Sequence, residues 1–241
     1  MNIAVIFAGG TGQRMNSKTR PKQFLELHGK PILVYTLETF QYHKDIDGII
    51  LVTLNEWIDF CMDLKEKYHL TKLKAIIPGG KTATESAYNG LVEAKKHFDS
   101  NSIVLIHDGV RPLIDAETIT KNIKSVKEYG TAITVSPAIE TIALVAETSG
   151  KNEICEVIER SRCQMARAPQ SFYLTEIIDV YNKALNEGQV FIDSATMMMH
   201  YGYKLYTVCG KPENIKITTP NDFYMFRAIV DAKENSQIFG L

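Results

Sequence analysis

Along the first 135 residues, short apolar runs rich in β-branched side chains alternate with helix-patterned segments. Ile3–Phe7, Gly48–Thr53, Leu73–Ile77, Ile103–His107 and Thr131–Val135 are apolar almost throughout, not at every second position. A strand of that kind is covered on both faces. Pro31–Gln41, Asn55–Tyr68, Thr84–Phe98 and Asp115–Tyr129 carry helical spacing between them. Pro31 suits a first helical turn and Asp115 an N-cap. This alternation predicts an α/β fold: a mostly parallel, twisted sheet with helices on both faces.

The rhythm breaks after Val135. Between Pro137 and Arg167 no helix pattern appears. Thr141–Ala146 and Glu156–Ile158 read as two short strands around a polar tip, Thr148-Ser149-Gly150-Lys151-Asn152. Two short strands are not stable alone in water, so this hairpin reads as an arm that needs a partner surface. Beyond it, Thr175–Asn186 reads as a helix ended by Gly188, Ser194–His200 as a shorter helix and Lys204–Val208 as a strand. Thr219-Pro220-Asn221-Asp222 opens a last helix with a capping box and Pro at the first helical position. No repeat or linker divides the 241 residues. The expectation is one domain, 1–241, with an arm at about 137–167.

Lys and Arg number 27 against 28 Asp and Glu. That balance argues against non-specific nucleic-acid or anionic-membrane binding, which calls for a basic excess. Phosphate chemistry here must rest on a few placed cations. Cys61, Cys155, Cys163 and Cys209 form no C-x-x-C pair, which disfavours zinc ribbons and dithiol redox chemistry. Isolated thiols behind an N-terminus without a basic signal region suggest the cytoplasm. No apolar run reaches membrane-spanning length.

After the first strand comes Ala8-Gly9-Gly10-Thr11-Gly12-Gln13-Arg14-Met15. Such a turn lets backbone N–H groups approach phosphate oxygens. It is not a dinucleotide fingerprint, because Met15 stands where that pattern needs a small residue. The second strand also ends in Thr53-Leu54-Asn55, without a ribose-holding acid. Gly80-Lys81-Thr82 matches the tail of a Walker A loop, but Ala75 occupies the first glycine position.

Gly9-Gly10-Thr11-Gly12-x-Arg14-Met15 followed by Pro21-Lys22-Gln23-Phe24 resembles the signature of the cytidylyltransferases that act on sugar-alcohol phosphates. The resemblance continues in order through Gly79-Gly80, His107-Asp108-Gly109-Val110-Arg111-Pro112, Pro169-Gln170, Asp193 and Asn214-Ile215-Lys216-Ile217-Thr218. It implies a Rossmann-like nucleotidyltransferase fold, with CTP and a small polyol phosphate as substrates and Mg²⁺ as cofactor. Arg14, Lys22 and Lys216 would then be the catalytic cations around the triphosphate. Ala8, Gly9, Gly10, Thr11, Gly12, Gly79, Gly80, Ser86 and Asp108 would bind the nucleotide. Asp108, Arg111, Thr141, Arg160 and Asp193 would face the acceptor. Asp108 reads equally as a Mg²⁺ ligand or a hydroxyl ligand. Lys216 reads as lying on a strand, and His107 as a residue satisfied by backbone rather than a base. The arm resembles the family's dimerisation hairpin, so a homodimer is expected, with Thr141 and Arg160 reaching the neighbour's pocket.

Ala83 stands where the family usually has Arg, and Ile192 where the methylerythritol branch usually has Thr. Gly9-Gly10, Glu56-Trp57, Ala138-Ile139-Glu140-Thr141-Ile142 and Ala168-Pro169-Gln170-Ser171-Phe172 lean toward the ribitol-phosphate branch. Two readings from other classes are a nicotinamide oxidoreductase and a nucleotide-binding regulator without catalysis. The first lacks the fingerprint residues. The second does not account for Arg14, Lys22, Asp108 and Lys216 together.

Overall fold

The structure, a computed structural model, describes residues 1–10, 20–148 and 151–239. In chain order its strands are β1 (Asn2–Ala8), β2 (Glu26–Leu27), β3 (Lys30–Pro31), β4 (Gly48–Thr53), β5 (Leu73–Pro78), β6 (Ile103–Asp108), β7 (Thr131–Pro137), β8 (Ile142–Thr148), β9 (Lys151–Ile158), β10 (Gln164–Tyr173) and β11 (Thr207–Cys209). Its helices are α1 (Ile32–Tyr42), α2 (Ile58–Lys67), α3 (Ala83–His97), α4 (Ala116–Tyr129), α5 (Leu174–Asn186), α6 (Ser194–His200) and α7 (Pro220–Phe239).

Seven strands form one sheet in the order β11-β7-β10-β6-β1-β4-β5. All its pairings are parallel except the two made by β10, which runs antiparallel to β6 and β7. The core follows the pleat. Ala4 and Ile6 of β1 pack with Leu33, Leu37 and Phe40 of α1 and with Ile119, Ile123 and Val126 of α4. Ile3 and Val5 face the other way, onto Ala87 and Leu91 of α3 and Ile177 and Ile178 of α5. Burying both faces explains why these strands are apolar at every position. A third cluster joins Ile32, Val110, Leu113 and Ile217 to Phe226 and Val230 of α7.

The expected caps are present. Asp115 accepts from Thr118 N at the start of α4, and Gly130 ends that helix at φ +83°. Gly188 (φ +64°) follows α5. Asp222 accepts from Thr218 N and Thr219 N at the head of α7.

Four expectations need correction. The arm is longer-stranded than expected: β8 and β9 pair from Ile142↔Ile158 to Thr148↔Lys151, so Thr148, Lys151 and Asn152 lie in the ladder rather than in a tip. The arm is also shorter in chain, because Gln164 already pairs with Pro137 and belongs to the main sheet. The strand expected at Lys204–Val208 runs over Thr207–Cys209. The fourth is β10, a ten-residue strand that sequence patterning did not reveal. Its register shifts between Ala166 and Gln170, across Pro169, which has no N–H to give to a ladder. That bulge erases the period-2 pattern.

Candidate active site

The parallel strands end together. Phe7 lies beside Asp108, Ala8 beside Thr53 and Thr53 beside Pro78. The Gly9-Gly10 turn leaving β1, the Gly79-Gly80 turn leaving β5 and the carboxylate at the end of β6 therefore share one edge. That edge is where open α/β sheets bind ligands.

The Gly79-Gly80 turn is locked. Gly79 N donates to Thr53 O (2.9 Å), and Gly80 N donates to Ser86 Oγ (2.9 Å). Ser86 Oγ in turn donates to Thr82 O (2.9 Å). A Cβ on Gly79 would lie 2.9 Å from Ser86 Oγ, and one on Gly80 would collide with Glu85. Ser86 thus shapes the turn. Thr82 and Glu85 form a reciprocal capping box on α3, so Gly80-Lys81-Thr82 opens a helix by capping rather than by a phosphate loop.

Lys22 is buried in a short 3₁₀ turn, Lys22–Phe24. Its neighbours hold it there. Gln23 Nε2 donates to Ala8 O, and Phe24 stacks on Trp57 at 4.5 Å with Phe60 edge-on. A Cβ on Gly10 would lie 3.9 Å from Lys22 Cε. The lysine stem therefore runs beside the glycine turn. Arg14, Thr11 and Gly12 lie outside the described residues.

Asp108 is the electrostatic centre. Its Oδ1 accepts from Lys216 Nζ and its Oδ2 from Arg111 Nε, each at 2.7 Å. Burial alone would raise its pKa. The two cations outweigh that effect and hold the carboxyl well below its usual range. Gly109 turns the chain tightly after it. Gly109 N donates to Phe7 O (2.8 Å), and a Cβ there would meet Leu33 Cδ1 at 2.8 Å and Phe7 O at 3.0 Å. His107 is buried beside Phe40; its Nε2 donates to Arg111 O (3.3 Å), and burial pushes its pKa down to about 4. It is neutral and backbone-bound, as expected.

Lys216 lies in the segment between β11 and α7 that belongs to neither, not on a strand as expected. Two neighbours anchor this segment in the interior. Asn214 Nδ2 donates to Ala168 O (2.7 Å), and Ile217 N donates to Val110 O (2.9 Å). Asn214 and Ile217 are fully buried, while the Lys216 side chain reaches outward, 42% exposed.

Among the described residues no hydrogen bond or ion pair joins Asp193, Thr141 or Arg160 to Asp108, Arg111 or Lys216. Asp193 is the N-cap of α6: Oδ1 accepts from Thr196 N and Oδ2 from Gln170 Nε2. Gln170 also accepts from Ala195 N, so the Pro169-Gln170 pair clamps α6. Ala83 and Ile192, the two departures from the family pattern, line one small cavity of about 40 Å³ with Asp193. Thr141 and Arg160 are exposed at the root of the arm, where Arg160 Nη1 donates to Ile139 O (3.1 Å). One residue that sequence reading missed joins the cluster itself. Arg167, on β10, donates to Ser136 Oγ and to the same Asn214 carbonyl as Arg111. Its only sequence signal was a charge two residues before Pro169.

A family model for 2-C-methyl-D-erythritol 4-phosphate cytidylyltransferase matches residues 2–232. The chain belongs to this cytidylyltransferase family. A ribitol-5-phosphate cytidylyltransferase of Streptococcus agalactiae is 51% identical over the full length of both chains. A 2-C-methyl-D-erythritol 4-phosphate cytidylyltransferase of Clostridium botulinum is 36% identical, over 95% of this chain and 97% of its own. The crystal structure of 4-diphosphocytidyl-2C-methyl-D-erythritol synthase from Anaerococcus prevotii superimposes with a TM-score of 0.81 at 29% identity, over 95% of this chain and 96% of that one. Cytidylyltransferases are CTP-dependent nucleotidyltransferases, which sets aside the oxidoreductase and regulator readings. Among the described residues no helix is long and apolar enough to cross a membrane.

Proposed function

We propose that this cytidylyltransferase moves CMP from CTP to ribitol 5-phosphate, releasing pyrophosphate and forming CDP-ribitol. The choice of acceptor rests on one observation: 51% identity over the whole length to a ribitol-5-phosphate cytidylyltransferase, against 36% to a methylerythritol-phosphate one.

In the reaction an oxygen of the acceptor phosphate attacks the α-phosphorus of CTP in line. The bond from that phosphorus to the β-bridging oxygen breaks, and pyrophosphate carries the electron pair away. The acceptor oxygen is already ionised, so no general base is needed. Catalysis is then positioning and charge stabilisation. Gly9, Gly10 and the turn at Gly79-Gly80 offer backbone groups to triphosphate and cytosine. Lys22 lies beside the first turn and Lys216 pairs with Asp108; these two cations, with Arg14, oppose the charge that develops at the α-phosphorus, while Arg111, on the other oxygen of Asp108, faces the acceptor.

Asp108 fits magnesium. It is ionised, and a cation already favours its Oδ1, where the Lys216 ammonium sits. Mg²⁺ takes one or two carboxylates together with substrate phosphates. When bound, the ion would neutralise triphosphate charge. The arm supports a homodimer in which Thr141 and Arg160 of one subunit serve the other's acceptor pocket. Its apolar side chains Val145, Ile154 and Val157 are exposed. We place the enzyme in the cytoplasm, where its CTP substrate is made.

The test is pyrophosphate release from CTP, Mg²⁺ and a panel of polyol phosphates. Ribitol 5-phosphate should give the highest kcat/KM. A higher value for 2-C-methyl-D-erythritol 4-phosphate would move the protein to the other branch.

A further inference from the structure

Two cations, Arg111 and Lys216, meet one carboxylate at the carboxyl end of β6, and a third, Arg167, shares the Asn214 carbonyl with Arg111. Arg111 and Lys216 pair with Asp108, while Arg167 has no acidic partner among the described residues. Arg167 is nevertheless held in place. Its Nε donates to Ser136 Oγ at 2.9 Å, and its Nη1 reaches Asn214 O at 3.4 Å. Arg111 Nη1 donates to that same carbonyl at 2.9 Å. Two guanidinium groups sharing one neutral oxygen repel each other. Burial, and then Arg111, pull the Arg167 pKa below its ordinary value. The Nη2 groups of both forks find no acceptor among the described residues.

A partly buried cation beside a like charge is costly unless an anion joins it. The cluster carries two positive charges beyond what Asp108 neutralises. A phosphomonoester above its second pKa of about 6 carries close to two negative charges. Planar guanidinium forks match phosphate oxygens in pairs.

We propose that Arg167, with Arg111, forms a two-guanidinium cradle for a phosphate group of the substrate, and that this group is the acceptor's terminal phosphate. This rests on the cytidylyltransferase reading above. The acceptor is preferred over the triphosphate because Arg167 stands on β10, on the far side of β6 from the glycine turns of β1 and β5. The cradle would hold the attacking phosphate while Lys216 stays with the α-phosphorus. Arg167 is then a binding residue that sets selectivity for phosphorylated acceptors.

The experiment compares wild type with Arg167→Gln, Arg167→Lys and Ser136→Ala, with folding checked by circular dichroism. In steady-state pyrophosphate release, Arg167→Gln should raise KM for ribitol 5-phosphate at least tenfold and leave KM for CTP within twofold. Arg167→Lys, which keeps the charge but not the fork, should fall between it and wild type. Ser136→Ala, which frees the Nε, should raise the acceptor KM about threefold. A matching or larger rise in KM for CTP would assign the cradle to the triphosphate and overturn the proposal. So would unchanged constants in Arg167→Gln. A second arm does not depend on turnover: inorganic phosphate titrated by calorimetry onto nucleotide-free protein. Arg167→Gln should weaken that binding tenfold, and equal affinity in wild type and variant would overturn the proposal. If wild type turns over no polyol phosphate, the functional reading fails, and the phosphate titration still decides the role of Arg167.

Discussion

The carboxyl end of the sheet and the β8–β9 arm are both built from short segments between strands, yet they are finished to different degrees. At the sheet edge the groups that shape the site are tied down by partners in the same chain. Asp108 is held by two cations, Gly79 and Gly80 are tied to Thr53 and Ser86, and Lys22 is fixed through Gln23 and Phe24. On the arm, Leu144, Val145, Ile154 and Val157 are exposed, and among the described residues β8 and β9 pair only with each other. Two strands alone cannot bury both their faces. The difference teaches where one chain suffices: it ties down the Asp108 cluster and the glycine turn by itself, while the arm leaves apolar surface uncovered. Four experiments test that division.

The largest effect is expected at the sheet edge. Lys22→Ala and Lys216→Ala should each lower kcat about a hundredfold, a loss of roughly 3 kcal/mol of transition-state stabilisation. Arg14→Ala should do the same. Subunit mass by sedimentation should not change. A Lys216 variant with near-normal kcat would remove that residue from the catalytic set.

Gly109→Ala comes next, because it links fold to site. The new methyl group would press on Leu33 and the Phe7 carbonyl. Overpacking of this kind costs about 2 kcal/mol, read as a lower midpoint in urea. A midpoint equal to that of wild type would show that the Asp108–Arg111 turn has more room than its contacts indicate.

On the arm, Arg160→Ala should weaken acceptor use about tenfold, equivalent to about 1.4 kcal/mol, and leave CTP binding nearly intact. Mixed with Lys22→Ala subunits under exchanging conditions, it should regain activity, since one composite site of each heterodimer keeps both residues. A fully active monomer would break the comparison outright. A dimer without complementation would keep the interface and remove Arg160 from the neighbour's pocket.

The smallest effect concerns the helix that follows Lys216. Asp222→Ala removes the carboxylate that caps α7 and should cost about 1 kcal/mol. Burial raises the Asp222 pKa, but the hydrogen bonds from Thr218 and Thr219 outweigh it, so the folded value lies below the unfolded value of 3.8. The stabilisation is therefore complete above that pH and is lost as the pH falls through the folded pKa. Wild type and variant should converge in stability in strong acid. A constant gap down to low pH would mean that the cap does not act through its charge.

What the sequence determined by itself is whatever depends on neighbours along the chain. Apolar runs set the parallel strands, 3.6-residue spacing set the helices, and Asp115, Gly188 and the Thr219–Asp222 box marked helix ends, because a cap bonds within its own turn. The ordered motifs identified the family and most of the cations. Tertiary structure decided what depends on distant pairing. Lys216 meets Asp108 across 108 positions, and Arg111 meets the Asn214 carbonyl across 103. No local pattern encodes such a meeting. Strand β10 was hidden because its bulge at Pro169 breaks the alternation a strand shows, and Arg167 was hidden with it. Asp193, read as an acceptor ligand, is held by Thr196 and Gln170 at the head of α6. Each of these outcomes is set by which strand ends lie side by side, and that follows from packing both faces of the sheet at once.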